Sequence, residues 1–211
     1  MLVILFDLDG TLIDSTPAIL ESFHFAFEQF NTPIADDEEI KKLIGLPLDI
    51  MFEKLGVDSS KKWDYVNAYK THYRPISKQK TTLLPFAKEA IIQASKIAKL
   101  GIVTTKTSKY SKELMEHFGV LEYFDVLIGR EDVTNPKPHQ EPILKALNYF
   151  KNHSIAYMIG DTCLDSISAK NANINSIGVL SGYGNKKDLI NCSDVVVENA
   201  LKAIEFIQRQ V

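Results

Sequence analysis

Six short apolar runs, each closed by polar or turn-forming residues, constrain this chain more than any other feature. They are Leu2–Leu8 (LVILFDL), Leu100–Thr104 (LGIVT), Phe124–Gly129 (FDVLIG), Ile155–Gly160 (IAYMIG), Ser176–Leu180 (SIGVL) and Asp194–Val197 (DVVV). They are rich in Val and Ile and lack the alternation of a strand with one wet face. They therefore read as strands buried on both sides, as in a parallel sheet. Between the later runs, Phe86–Ile97, Ser111–Phe118, Pro142–Phe150 and Asp165–Ala172 carry apolar residues at helical spacing. Strand alternating with helix predicts an α/β fold with a doubly wound parallel sheet.

The stretch 15–80 breaks that alternation and is helical throughout. Ser15-Thr16-Pro17 reads as an N-cap with proline in the first turn. Ile19, Leu20, Phe23, Ala26, Phe27 and Phe30 then form an apolar stripe. Three further helices are predicted over Asp36–Ile44, Leu48–Leu55 and Ser60–Tyr73, with breaks at Gly45-Leu46-Pro47 and Gly56-Val57-Asp58. Trp63, Tyr65, Tyr69 and Tyr73 read as the apolar face of the last helix. Some 65 residues is too long for a crossover connection. The stretch is therefore expected to be a small all-helical cap domain, 15–80, inserted after the first strand of a core formed by 1–14 and 81–211. Open α/β sheets bind ligands beyond the carboxyl ends of their strands, so a lid is expected there.

Several classes drop out. Twenty-four basic side chains against 27 acidic ones leave a formal charge of −3, which offers no footprint for nucleic acid or an anionic membrane. No apolar run approaches the roughly 20 residues of a membrane span, and no secretory signal is visible. The two cysteines, Cys163 and Cys192, read as no disulfide framework and are too few for a structural zinc site. The expectation is a cytoplasmic globular protein.

Two strands end in carboxylates. The first closes in Asp7-Leu8-Asp9-Gly10-Thr11, and the fourth in Gly160-Asp161-Thr162-Cys163-Leu164-Asp165. Unpaired carboxylates are expensive to bury, so the aspartates do not belong to the core. Gly10 allows a turn that separates the roles of Asp7 and Asp9. Like charges this close call for a compensating cation, and oxygen ligands favour Mg²⁺. A calcium loop fails, because position twelve counted from Asp7 is Ala18 rather than Glu. Helix caps are the alternative reading of both motifs. If the first and fourth strands are neighbours, all four carboxylates converge on one crevice. Thr104 and Thr105 bring hydroxyls and backbone N–H groups to the same edge, either as a phosphate cradle or as caps. Lys137, between Pro136 and Pro138, is either an ammonium held by a stiff loop or a solvated lysine.

Together these pieces resemble the haloacid dehalogenase superfamily of phosphohydrolases: DLDGT at Asp7–Thr11, a strand ending in Thr104, Lys137 in a Lys-Pro context, and GDTxxxD at Gly160–Asp165. The resemblance implies a Rossmann-like core with strand one central and strand four beside it. It implies Asp7 as nucleophile and Asp9 as acid–base. Mg²⁺ would be held by the Asp7 and Asp161 carboxylates and the Asp9 backbone carbonyl, with Asp165 an outer carboxylate on the metal side. Thr104, Thr105 and Lys137 would take the phosphoryl group. Asp9 together with Asp161 argues against the metal-free dehalogenases.

Within the superfamily the chain looks most like the phosphoglycolate phosphatases. Lys137-Pro138-His139-Gln140-Glu141-Pro142 is similar to their Lys-Pro-His-Pro-x-Pro, with Gln140 departing from it, and Ser181-Gly182-Tyr183-Gly184 to their Gly-Tyr-Gly stretch. Pyrophosphatases and β-phosphoglucomutases of the same superfamily are the alternatives. The resemblance implies hydrolysis of a small phosphorylated metabolite, with neither nucleic acid nor membrane as partner.

Overall fold

The computed structural model describes residues 1–210. The chain divides into two compact units, one comprising Met1–Ile13 with Leu83–Val211 and the other Asp14–Thr82. Two short strands at the junctions, β2 (Ile13–Asp14) and β3 (Thr82–Leu83), pair with each other.

The larger unit holds a six-stranded sheet of β1 (Leu2–Phe6), β4 (Lys99–Val103), β5 (Val126–Ile128), β6 (Ile155–Gly160), β7 (Asn175–Val179) and β8 (Val195–Val197), in the order β5-β4-β1-β6-β7-β8. Every described pairing in it is parallel. Phe6 lies beside Ile102 on β4 and Ile159 on β6, so the carboxyl ends of the three central strands are level.

The alternation of side chains explains why the runs are continuously apolar. Leu2, Ile4, Phe6, Ile102 and Ile159 face α5 (Ala87–Ser95), α6 (Ser108–His117) and α10 (Ala200–Gln208). Val3, Leu5, Val103 and Met158 face α7 (Glu141–Leu147) and α8 (Cys163–Asn171). With helices on both faces, neither set of alternate positions meets water. The sheet is doubly wound and Rossmann-like.

The smaller unit is helical: α1 (Thr16–Gln29), α2 (Asp37–Lys41), α3 (Leu48–Lys54) and α4 (Lys62–Ile76). Its core is aromatic, with the Phe23 ring 4.5 Å from Phe52 and 5.0 Å from Tyr69 between centroids. Tyr65, Tyr69 and Tyr73 are buried, but Trp63 is 54% exposed. Two residues from Tyr65 is about 200° around a helix, so Trp63 falls outside the stripe assigned to it. The cap of α1 also differs: the Ser15 side chain makes no capping bond, and Asp14 Oδ1 accepts from the Thr16 N–H at 2.9 Å instead.

The cysteines also differ from what their number suggested. Cys163, at the start of α8, and Cys192, at the end of α9 (Lys186–Cys192), are joined in a disulfide with their Cα atoms 5.7 Å apart. They lie 29 residues apart in sequence, and nothing in that spacing says which helix ends the fold makes adjacent. Among the described residues no helix is long and apolar enough to cross a membrane.

Candidate active site

The site is built from the carboxyl ends of β1, β4 and β6. Asp7 continues the register of β1 by one residue, its N–H donating to Ile159 O at 2.9 Å, and its side chain is buried. The chain then turns sharply, with the N–H groups of Thr11, Leu12 and Ile13 all directed to Leu8 O. Gly10 is required there twice over. Its φ of +79° favours glycine, and a Cβ would stand 2.3 Å from Asp161 Oδ2. The turn separates the two aspartates: Asp7 reaches the Lys137 ammonium, Nζ to Oδ1 3.0 Å, whereas Asp9 reaches Lys106, Nζ to Oδ2 3.0 Å.

Asp161 follows β6 directly and is fully buried. Its Oδ2 accepts from the Tyr183 N–H at 2.8 Å, and its Oδ1 takes a long bond from Thr11 Oγ1 at 3.4 Å. Ser181 Oγ donates to Gly10 O at 2.8 Å, which ties the stretch after β7 to the turn after β1. Gly182 lies directly on the carboxylate, where a Cβ would be 2.1 Å from Oδ2. The sequence motif Ser181–Gly184 is thus the wall that fixes Asp161. The alternation of small residues after a strand is its only local signal. Gly182→Ala is expected to displace this short, locked side chain and lower turnover at least about tenfold (displacements of about 1 Å can cost 10²-fold). Unchanged steady-state kinetics would show that the wall yields.

Asp165 starts its role as part of a capping box. Its Oδ2 accepts from Thr162 N–H and Oγ1 at 3.2 and 2.9 Å, while Oδ1 accepts from Lys137 Nζ at 2.5 Å. Lys137 is 3% exposed, so it is no solvated loop lysine. Its ammonium faces three acceptors: Asp165 Oδ1, Val103 O at 3.0 Å, and Asp7 Oδ1. Its loop is held by Asn171 Nδ2 donating to Pro138 O and Ser168 Oγ donating to His139 O, and the Lys137–Pro138 peptide is cis.

Thr104 is buried at the end of β4. Its N–H is not available to a ligand, because it donates to Ile128 O at 3.0 Å, and its hydroxyl accepts from the Lys106 N–H at 3.2 Å. The expected cradle is thus poorer in unclaimed N–H groups, and the Thr104 hydroxyl keeps its proton to give. Thr105 is half-buried at the same edge.

Three carboxylates, from Asp7, Asp161 and Asp165, each offer one oxygen, all within 4.8 Å of one another. Asp9 is not among them and pairs with Lys106. Burial pushes the Asp7 carboxyl up to about 6; Lys137 pulls it down and Asp165 raises it further. Burial, with Asp165 and Asp7 adding to it, pushes Asp161 well above the carboxylate range. Burial alone would lower Lys137, but Asp165 and Asp7 outweigh it and hold its ammonium charged. One buried ammonium thus stands against two of three buried carboxylates, Asp7 and Asp165. Lys137 sits at ion-pair distance from Asp7 Oδ1 without the alignment of a hydrogen bond, so that oxygen accepts no hydrogen bond at all. An all-oxygen cluster with surplus negative charge, one of its oxygens in no aligned hydrogen bond, fits a divalent cation.

A phosphoryl-transfer hydrolase on a doubly wound sheet is the class that this fold and edge define. A family model described as haloacid dehalogenase-like hydrolase matches residues 4–179, and the chain belongs to that family as an enzyme of the phosphatase type. A pyrophosphatase, PpaX, from Oceanobacillus iheyensis is 34% identical over 83% of this chain and 82% of its own length. A phosphoglycolate phosphatase from Colwellia psychrerythraea is 27% identical over 89% of this chain and 88% of its own. Among solved structures, a haloacid dehalogenase-like hydrolase from Streptococcus pneumoniae superposes with a TM-score of 0.88 at 27% identity, covering 98% of each chain.

Proposed function

We propose that the protein is a Mg²⁺-dependent phosphomonoester hydrolase that acts on a small phosphorylated metabolite, of the phosphoglycolate type, through a phospho-Asp7 intermediate. The observation that carries this is the buried Asp7 carboxylate, grouped with the Asp161 and Asp165 carboxylates and 3.0 Å from the fixed Lys137 ammonium, with Oδ1 in no aligned hydrogen bond. Pyrophosphate is the second reading, favoured by the 34% identity to a pyrophosphatase against 27% to a phosphoglycolate phosphatase.

The Asp7 carboxylate attacks phosphorus, the bond to the leaving oxygen breaks, and Asp9 gives that oxygen its proton. Asp9 then takes a proton from the water that attacks phospho-Asp7, and phosphate leaves. The Lys137 ammonium offsets the charge of the transferring group, and the Thr104 hydroxyl with Thr105 orients it. Asp165 keeps Lys137 in place. Mg²⁺, when bound by the Asp7 and Asp161 carboxylates and the Asp9 carbonyl, supplies the charge that offsets repulsion between carboxylate and phosphate. We assign this chemistry to residues 1–14 and 81–211, and selection of the leaving group in part to the helical residues 15–80.

Hydrolysis of p-nitrophenyl phosphate with and without chelator tests the reading. Turnover is expected to vanish on chelation and return with Mg²⁺; a rate indifferent to chelator would remove the metal from the scheme. Stability offers a second check. The Asp7 carboxyl is raised in the folded protein from its ordinary value near 3.8 to about 6, so the folded state binds the extra proton. The stability this group confers is full below pH 4 and lost as pH rises through 6. For Asp7 alone that amounts to about 3 kcal/mol between pH 4 and 7. Because Mg²⁺ competes with those protons, its effect on Tm is expected to be several degrees larger at pH 7.5 than at pH 5. Equal shifts at both values would count against Asp7 as a ligand.

A further inference from the structure

Lys106 brings a second ammonium to this edge, beside Asp9. Its backbone is fixed: the N–H donates to Thr104 Oγ1 at 3.2 Å, and the carbonyl accepts from the Arg130 N–H at 3.0 Å. Its side chain is 10% exposed, and its ammonium lies 3.0 Å from Asp9 Oδ2, on a side chain 13% exposed. Holding a lysine so far out of water costs both solvation and rotamer freedom. The Lys137 ammonium cannot serve a second ligand group, because Asp165, Val103 O and Asp7 already surround it.

The geometry fixes what Lys106 stands beside. Given the reading of Asp9 as proton donor to the leaving oxygen, on which this inference rests, that oxygen comes within about 3 Å of the Asp9 carboxyl. The Lys106 ammonium, 3.0 Å from Asp9 Oδ2, is then at most about 8 Å from that oxygen whichever carboxyl oxygen gives the proton, since a hydrogen bond spans about 3 Å. A lysine's flexible four-carbon arm spans such a gap to an anion one or two bonds from the leaving oxygen. We propose that Lys106 is the receptor for a negatively charged leaving group, so that the substrate class is phosphate esters or anhydrides whose leaving group carries a carboxylate or phosphate next to the cleaved oxygen. The same ammonium holds Asp9 in place between turnovers and joins the substrate's anion during them.

The wild-type enzyme provides a test that needs no variant. kcat/KM is expected to be at least tenfold higher for 2-phosphoglycolate, which carries a carboxylate, or for pyrophosphate, which carries a phosphate, than for propyl phosphate, a chain of similar length without the charge. The better of the two anions identifies the source. In Lys106→Gln, kcat/KM for the better anionic substrate is expected to fall further than that for propyl phosphate by a factor of ten or more, chiefly through KM, and Lys106→Arg is expected to restore most of the difference. A fall by the same factor for charged and uncharged substrates would show that Lys106 only positions Asp9. Equal wild-type kcat/KM values across the panel would overturn the proposal whether or not the variants fold. Absence of turnover on every phosphate, including p-nitrophenyl phosphate, would instead overturn the reading of the site as a phosphatase centre, and this inference with it.

Discussion

Asp7→Asn is expected to cost about a thousandfold or more in kcat on every substrate, since loss of a covalent nucleophile removes the pathway rather than one interaction along it. The change leaves the shape of the site intact: Lys137 retains Asp165 Oδ1 at 2.5 Å and Val103 O at 3.0 Å, and the Asp7 backbone bond to Ile159 O is untouched. Its Tm should therefore stay within a few degrees of the wild type. A second readout isolates the chemistry. Wild-type enzyme quenched in acid during turnover should carry covalent phosphate that hydroxylamine releases, as an acyl phosphate does, and Asp7→Asn should carry none. Turnover persisting within tenfold in this variant would dispose of the phospho-aspartate.

Lys137→Met is expected to produce the largest loss of stability. Its buried ammonium pairs with both Asp7 and Asp165, and removing one partner of a buried ion pair typically costs about 3–5 kcal/mol. In a chain of this size that corresponds to a fall in Tm of about 6–20 °C. A double-mutant cycle distinguishes lost charge from lost packing. Asp165→Asn combined with Lys137→Met should cost clearly less than the two single changes added together, because the second change removes the charge that the first left stranded. Strict additivity would mean that the pair is energetically independent, contrary to the 2.5 Å bond between them.

Much of the fold was readable because the physics that sets it is local and repetitive. A strand covered on both faces has no polar positions, so the runs around Ile4, Ile102, Ile159 and Ile177 announce both their structure and their burial. The helices of 15–80 showed the same legibility through Phe23, Phe27 and Tyr69. Trp63 escaped because an aromatic residue at a helix start looks apolar from either side, and only the angle about the axis decides its exposure. The strands' acidic ends were conspicuous for the converse reason: charge at the end of an apolar run has no packing explanation.

What the chain alone determined, then, was the sheet, the helical insert and the pieces of the edge: Asp7, Asp9, Thr104, Lys137, Asp161 and Asp165. Tertiary structure decided how those pieces divide. It gave Lys137 to Asp7 and Asp165 but Lys106 to Asp9, laid Gly182 against Asp161, spent the Thr104 N–H on Ile128, and joined Cys163 to Cys192. Each of these depends on the separation and direction of groups far apart in the chain. Periodicity and local chemistry report which environment a residue needs, whereas the partner that supplies it is selected only when the strands take their order.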